Sequence, residues 1–86
     1  MKREIIFTQI AGAQIQGLAR QNPKLLKKLF KLIEDIDKHP FEGLGKPEAL
    51  KHELQGKWSR RINQEHRLVY TCNDKAITIY SCLFHY

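Results

Sequence analysis

The chain reads as an α+β domain, with two N-terminal helices packed on a mainly antiparallel four-stranded sheet in the order β-α-α-β-β-β. Three observations predict this. A strongly amphipathic helix fills the stretch after Asn22. The C-terminal third consists of β-rich runs joined by short polar connectors. The 86 residues, 42% of them hydrophobic, suffice for one small core and a single domain over residues 1–86.

Each element has its own signal. Glu4-Ile5-Ile6-Phe7 reads as a short buried strand. Gln9 to Gln21 reads as a helix, although Gly12 and Gly17 each cost about 1 kcal/mol against alanine. Asn22 is a good N-cap for the next helix, and Pro23 occupies the first helical position, where its missing N–H does no harm. Leu25, Leu29, Leu32, Ile33 and Ile36 then form an apolar stripe, widened by Leu26 and Phe30, with Lys24, Lys27, Lys28 and Lys31 largely off it. Lys38-His39-Pro40 ends the helix, since cations suit the negative end of its dipole and proline stops it. Phe41 to Gln55 reads as loop, broken by Gly43, Gly45 and Pro47. Trp58–Asn63, Arg67–Cys72 and Ala76–Phe84 read as strands of a meander, joined by Asn63-Gln64-Glu65 and Asn73-Asp74-Lys75.

The last strand places Ile77, Ile79, Ser81, Leu83 and His85 on one face and Thr78, Tyr80, Cys82, Phe84 and Tyr86 on the other. Both sets are largely apolar, which predicts a central strand covered on both sides, the second by a partner. Cys72 and Cys82 show no ligand spacing and read as buried, reduced thiols, bridgeable only if their strands are neighbours. No signal peptide precedes the first strand and no apolar run is long enough for a membrane span, so the expectation is a cytoplasmic protein with no membrane partner.

A net charge of +6 favours a polyanionic partner, most often nucleic acid. Glu48, the histidines and the clustered arginines are the side chains that metal-free cleavage of an RNA phosphodiester requires. A base takes the proton from the ribose 2′-hydroxyl, cations stabilise the charge gathering on the phosphate, and an acid protonates the departing 5′-oxygen. Glu48 stands between Lys46 and Lys51. Arginine matches phosphate with a planar fork. His85 has an imidazole, whose unperturbed pKa of about 6.5 suits an acid near neutrality. Tyr86 can stack on a base or fix the phosphate. Each residue also has a plainer reading. Glu48 alone reads as a solvated loop carboxylate. Arg60 and Arg61 point to opposite faces of their strand, so one can be merely a surface charge. Arg67 can pair with Glu65 or another carboxylate, and a terminal His-Tyr can be a solvated tail. His39, His52, His66 and the cysteines lack zinc-like spacing, so no metal is expected. Residue chemistry by itself reaches a basic α+β domain directed at RNA.

Several blocks carry a family resemblance. Pro40-Phe41-Glu42-Gly43-Leu44-Gly45-Lys46-Pro47-Glu48-Ala49-Leu50-Lys51-His52 resembles the central signature of YoeB-type toxins in the RelE superfamily. Gly56-Lys57-Trp58-Ser59-Arg60-Arg61-Ile62, then Glu65-His66-Arg67-Leu68-Val69-Tyr70, continue it in register, and His85-Tyr86 matches the terminal pair. The resemblance spans residues 22–86. The first helix departs from it, with Ala11-Gly12-Ala13 and Gly17 where similar chains are acidic and aromatic.

The resemblance implies a microbial-ribonuclease-like α+β fold and an mRNA interferase. Such toxins enter the ribosomal A site, cut mRNA there without metal or cofactor, and so inhibit translation. By motif, Glu48 matches the general base, Arg67 the phosphate-stabilising arginine, His85 the general acid and Tyr86 the substrate-positioning tyrosine. Lys51, Arg61, Lys46 and Arg60 match supporting cations at the substrate. The implied partners are the ribosome, mRNA, a second copy in a homodimer, and a cognate antitoxin that is acidic and partly disordered. Operator DNA is reached only through that antitoxin. The alternative is a non-catalytic nucleic-acid-binding module or repressor subunit, which would have no use for a carboxylate beside a phosphate.

Overall fold

Side-chain caps, of which the sequence reading named Asn22, set the helices of the structure, a computed structural model that describes residues 2–83. Helix α1 spans Gln9–Gln21 and is capped by Thr8, whose Oγ1 accepts from the Ala11 N–H at 3.2 Å and donates to the Tyr80 carbonyl at 3.0 Å. Helix α2 spans Pro23–Lys38; the Asn22 side chain accepts from the Leu25 N–H at 3.2 Å. Leu25, Leu29, Leu32, Ile33 and Ile36 are buried as the stripe predicts, and full burial stabilises by about 1.5–3 kcal/mol for each such side chain. Leu26 packs at the core margin, whereas Phe30 is exposed.

The sheet differs from expectation in two respects. It has five strands in the order β1-β5-β4-β3-β2, formed by Glu4–Phe7 (β1), Glu48–Ala49 (β2), Trp58–Arg61 (β3), Arg67–Cys72 (β4) and Ala76–Ser81 (β5). The extra strand, β2, lies in the stretch expected to be loop. Two residues are too few to show any periodicity. The sheet is also mixed, because β1 pairs parallel to β5 while the other neighbours are antiparallel. Strand β5 is thus internal, as its apolar faces predict.

The expected alternation along β5 fails at one point. Val69 opposes Ser81 but Tyr70 opposes Ile79, leaving Tyr80 as an extra residue. Beyond this shift the inside–outside pattern inverts, and Cys82 joins Ile77 and Ile79 in the core instead of lying opposite them. Both cysteines are free thiols. Their strands are neighbours, but Cys72 opposes Ile77 at one end of the ladder. Cys82 lies five residues further on, about 16 Å along the strand, so no bridge can form. Burial raises the Cys82 pKa to about 11 and pushes the Cys72 thiol up as well. At the Cys72 end, Lys2 and Arg3 fasten the chain start to Asp37. Among the described residues no helix is long and apolar enough to cross a membrane.

Candidate active site

Directly opposed residues on neighbouring strands share a sheet face. The register therefore builds a rung Glu48–Ser59–Val69–Ser81 across β2, β3, β4 and β5, and places Arg61 opposite Arg67 one step along. These residues lie on the face away from the helices, where Ser59 and Val69 are buried and only the edge at Glu48 and Arg61 is exposed. Arg60, Leu68 and Tyr70 alternate to the helix face, where all three are buried.

On the open face, Arg67 Nη1 lies 3.4 Å from Glu48 Oε1, with the Glu48 side chain 65% exposed and that of Arg67 26% exposed. Of the alternatives open to Arg67 in the sequence, it meets Glu48; the Glu65 carboxylate lies instead 3.4 Å from His66 Nε2. An exposed pair of this kind contributes about 0–1 kcal/mol to stability, so a competing anion can part it at little cost. The pair thus brings a carboxylate and a guanidinium to one solvent-facing spot. Lys46, Lys51 and Arg61 are exposed and make no side-chain hydrogen bond or ion pair among the described residues. Lys46 lies two residues before Glu48 with φ of +52°, an uncommon conformation for a side chain of its size. Lys51 precedes a single 3-10 turn at His52–Leu54. His85 and Tyr86, expected as acid and positioning residue, lie outside the described residues.

Arg60 does not join this set, contrary to expectation. It is fully buried and all of its N–H groups point inward. Nε donates to Tyr70 Oη at 3.2 Å; Nη1 donates to Asp35 Oδ2 at 2.6 Å and the Leu44 carbonyl at 3.1 Å; Nη2 donates to the carbonyls of His39 at 2.5 Å and Glu42 at 2.7 Å. A guanidinium has five N–H groups, and here each has an acceptor. Its side chain therefore has no donor left for a phosphate. Burial works against ionisation of its partner Asp35. Hydrogen bonds from Arg60 and the Leu44 N–H, with the charges of Arg60 and His39, outweigh that and hold the Asp35 pKa below the ordinary 3.8.

One feature escaped the sequence reading. Lys24, Lys27, Lys28 and Lys31 of α2 form one wall of a groove of about 730 Å³; Lys46, Arg61, Asn63 and Gln64 form the other, over a floor of Leu32, Leu44 and Ile62. All its charged side chains are cationic, and Lys46 and Arg61 join it to the Glu48–Arg67 pair. The signal in the sequence was the 24, 27, 28, 31 spacing, which puts four lysines on one helix face. Among the described residues no three His, Cys, Asp or Glu side chains gather as a metal site.

Residues 7–86 match the family described as YoeB-like toxin of bacterial type II toxin-antitoxin system. The chain is 49% identical to Toxin YoeB of Synechocystis sp., over 96% of each chain. It superposes on the YoeB dimer from Staphylococcus aureus with a TM-score of 0.95 and 44% identity, covering 100% of both chains. It superposes on the toxin of the heterotetrameric YoeB-YefM toxin-antitoxin complex of the same organism with a TM-score of 0.92 and 44% identity, again covering 100% of both.

Proposed function

The chain belongs to the YoeB-like toxins of bacterial type II toxin-antitoxin systems, and from that premise we propose that it is a ribosome-dependent endoribonuclease. On this reading it cuts mRNA in the ribosomal A site, stops translation, and is neutralised by a cognate antitoxin. The observation that carries the reading is the Glu48–Arg67 pair, 3.4 Å apart at the sheet edge, beside a groove whose charged side chains are all cationic.

In this mechanism the scissile phosphate takes the place of Glu48 as the anion beside Arg67. Glu48 then removes the proton from the neighbouring 2′-hydroxyl, whose oxygen attacks phosphorus. The bond from phosphorus to the 5′-oxygen breaks, leaving a cyclic phosphate on one fragment. His85 gives its proton to the departing 5′-oxygen, and Tyr86 holds the nucleotide. A positioned proton transfer contributes about 10²–10⁴-fold. Arg67, helped by Lys46, Lys51 and Arg61, stabilises the charge gathering on the phosphate, worth about 10²–10³-fold for a well-placed donor. The scheme draws on no metal or cofactor.

The groove suits the polyanion that flanks the cut. Like charges gathered without a carboxylate repel one another, and a polyphosphate backbone relieves that repulsion while releasing its own counterions. The same surface attracts an acidic, flexible antitoxin segment that folds as it binds. The S. aureus relatives, solved as a dimer and with an antitoxin, support a homodimer and an antitoxin complex here. Contact with operator DNA would come through the antitoxin, and work on ribosomes places the protein in the cytoplasm.

The cationic groove also fits a second reading, a binder without catalysis that serves as a repressor subunit. Glu48 argues against it, because a carboxylate beside a bound phosphate only weakens binding unless it takes a proton. The two readings separate on expression without antitoxin. The nuclease stops growth and leaves cuts within translated frames, seen by toeprinting on stalled ribosomes. Growth arrest with intact mRNA would favour the binder.

A further inference from the structure

We infer that Arg60 is a positioning residue for Glu48, acting through the chain segment that leads into β2; the inference rests on Glu48 being the base. Residues 39–47 join α2 to β2 and contain no helix or strand. Three of the five Arg60 acceptors are carbonyls of this segment, those of His39, Glu42 and Leu44. The other two acceptors grip the same segment themselves. Asp35 Oδ2 accepts from the Leu44 N–H at 3.0 Å, and Tyr70 Oη donates to the Pro40 carbonyl at 2.8 Å. One buried guanidinium and its two ligands thus fix the segment at four points.

The next residues leave little slack. The Arg61 N–H donates to the Gly45 carbonyl at 2.7 Å. Gly45 has φ of +80°, and a Cβ there would meet the Arg61 carbonyl at 2.9 Å and Arg60 Cβ at 3.1 Å. Only Lys46 and Pro47 then separate this anchor from Glu48, and proline fixes its own φ. Strand β2 has two residues and pairs on one side only, with the Leu50 N–H donating to the Lys57 carbonyl just beyond it, so few ladder bonds of its own hold its register. The height of the Glu48 carboxylate over Arg67 is therefore set from Arg60. Placement at this scale matters, because a shift of about 1 Å in a reacting group can cost about 10²-fold in rate.

Two variants test this without removing buried charge. Arg60→Lys keeps the cation for Asp35 but has at most three donors and no planar fork. Tyr70→Phe keeps the ring and removes the hydroxyl that links Arg60 to Pro40. Both are measured in single-turnover cleavage of mRNA on programmed ribosomes, with the folded fraction read from thermal unfolding. The expected result is a saturating rate lowered about 10-fold or more in Arg60→Lys, less in Tyr70→Phe, with the half-saturating concentration changed less than about threefold. A rate loss that disappears on correction for the folded fraction, or an unchanged rate, overturns the inference. Amide hydrogen exchange, which needs no catalysis, separates this from failure of the nuclease reading. Arg60→Lys should speed exchange about 10-fold or more across residues 42–50 while β4 and β5 keep their protection. Unchanged exchange there overturns the positioning role even if the wild type cuts RNA; accelerated exchange upholds the structural link even if it does not.

Discussion

On the helix side of β3, Arg60 is enclosed and each of its N–H groups is bonded; one residue later, on the open side, Arg61 is exposed and lines a cationic groove. The same contrast holds for the carboxylates. Asp35, mostly buried, meets Arg60 at 2.6 Å, whereas Glu48, largely exposed, meets Arg67 at 3.4 Å. The closed face spends its charges on holding the chain in one path. The other face leaves its charges loosely paired and exposed to solvent. Identical residue types are thus locked into the fold or left near the surface according to which side of one strand they occupy.

Removing a charge from the closed face should have the largest effect. Asp35→Ala leaves Arg60 buried without its anion, and breaking a buried pair in this way costs about 3–5 kcal/mol. Urea unfolding should show that loss as a lower midpoint. A change under about 1 kcal/mol would mean that the Arg60 cluster is no more structural than a surface pair.

Thinning the cationic groove beside α2 should instead leave stability alone. Lys24→Gln, Lys28→Gln and Lys31→Gln are expected to weaken ribosome association. Each should also reduce the slope of log affinity against log salt by about 1, with the melting temperature little changed. An unaltered salt slope would remove the groove from the RNA-binding surface.

A smaller effect sharpens the contrast by pH. Asp35 and Asp37 have pKa values lowered below 3.8, Asp37 first through the Lys2 N–H against the cost of burial and then through Arg3. The unfolded chain therefore binds protons at these sites before the folded one does. The stability they contribute is complete above about pH 5 and is lost as pH falls through the lowered values. Acid unfolding of Asp35→Asn, followed by circular dichroism, should begin with part of this dependence already gone. A wild-type acid profile in that variant would contradict the assignment.

Much of the fold was legible because its signals are local. Thr8 aside, the helix boundaries follow from Asn22, Pro23 and Pro40, and the Arg67–Cys72 strand appears with its predicted bounds. Non-local pairing was not legible. Nothing in Glu4-Ile5-Ile6-Phe7 shows that it pairs parallel to β5, and a two-residue strand at Glu48 has no period to detect. The extra residue at Tyr80 is a matter of register, so the side on which Cys82 falls could not be read from alternation. Within the candidate site, Glu48, Arg67 and Arg61 share a face through strand register, which their motif does not state. Alternation correctly sent Arg60 and Arg61 to opposite sides, with the expectation that one could be only a surface charge. The structure reverses the emphasis: the residue outside the site is the most deeply buried charge, because Asp35 on α2 and three loop carbonyls meet it there. Those acceptors lie 16 to 25 residues away in sequence, beyond the reach of strand periodicity.

The division of labour between the two faces is tested most directly by the saturating rate at which purified Glu48→Gln cuts mRNA on programmed ribosomes, set beside its melting temperature. Glutamine keeps the size of the side chain and cannot act as the base. The expected result is cleavage slowed by about 10²-fold or more, with stability within about 0.5 kcal/mol of wild type. Cleavage at the wild-type rate would contradict the account, and so would a loss of activity explained entirely by unfolding.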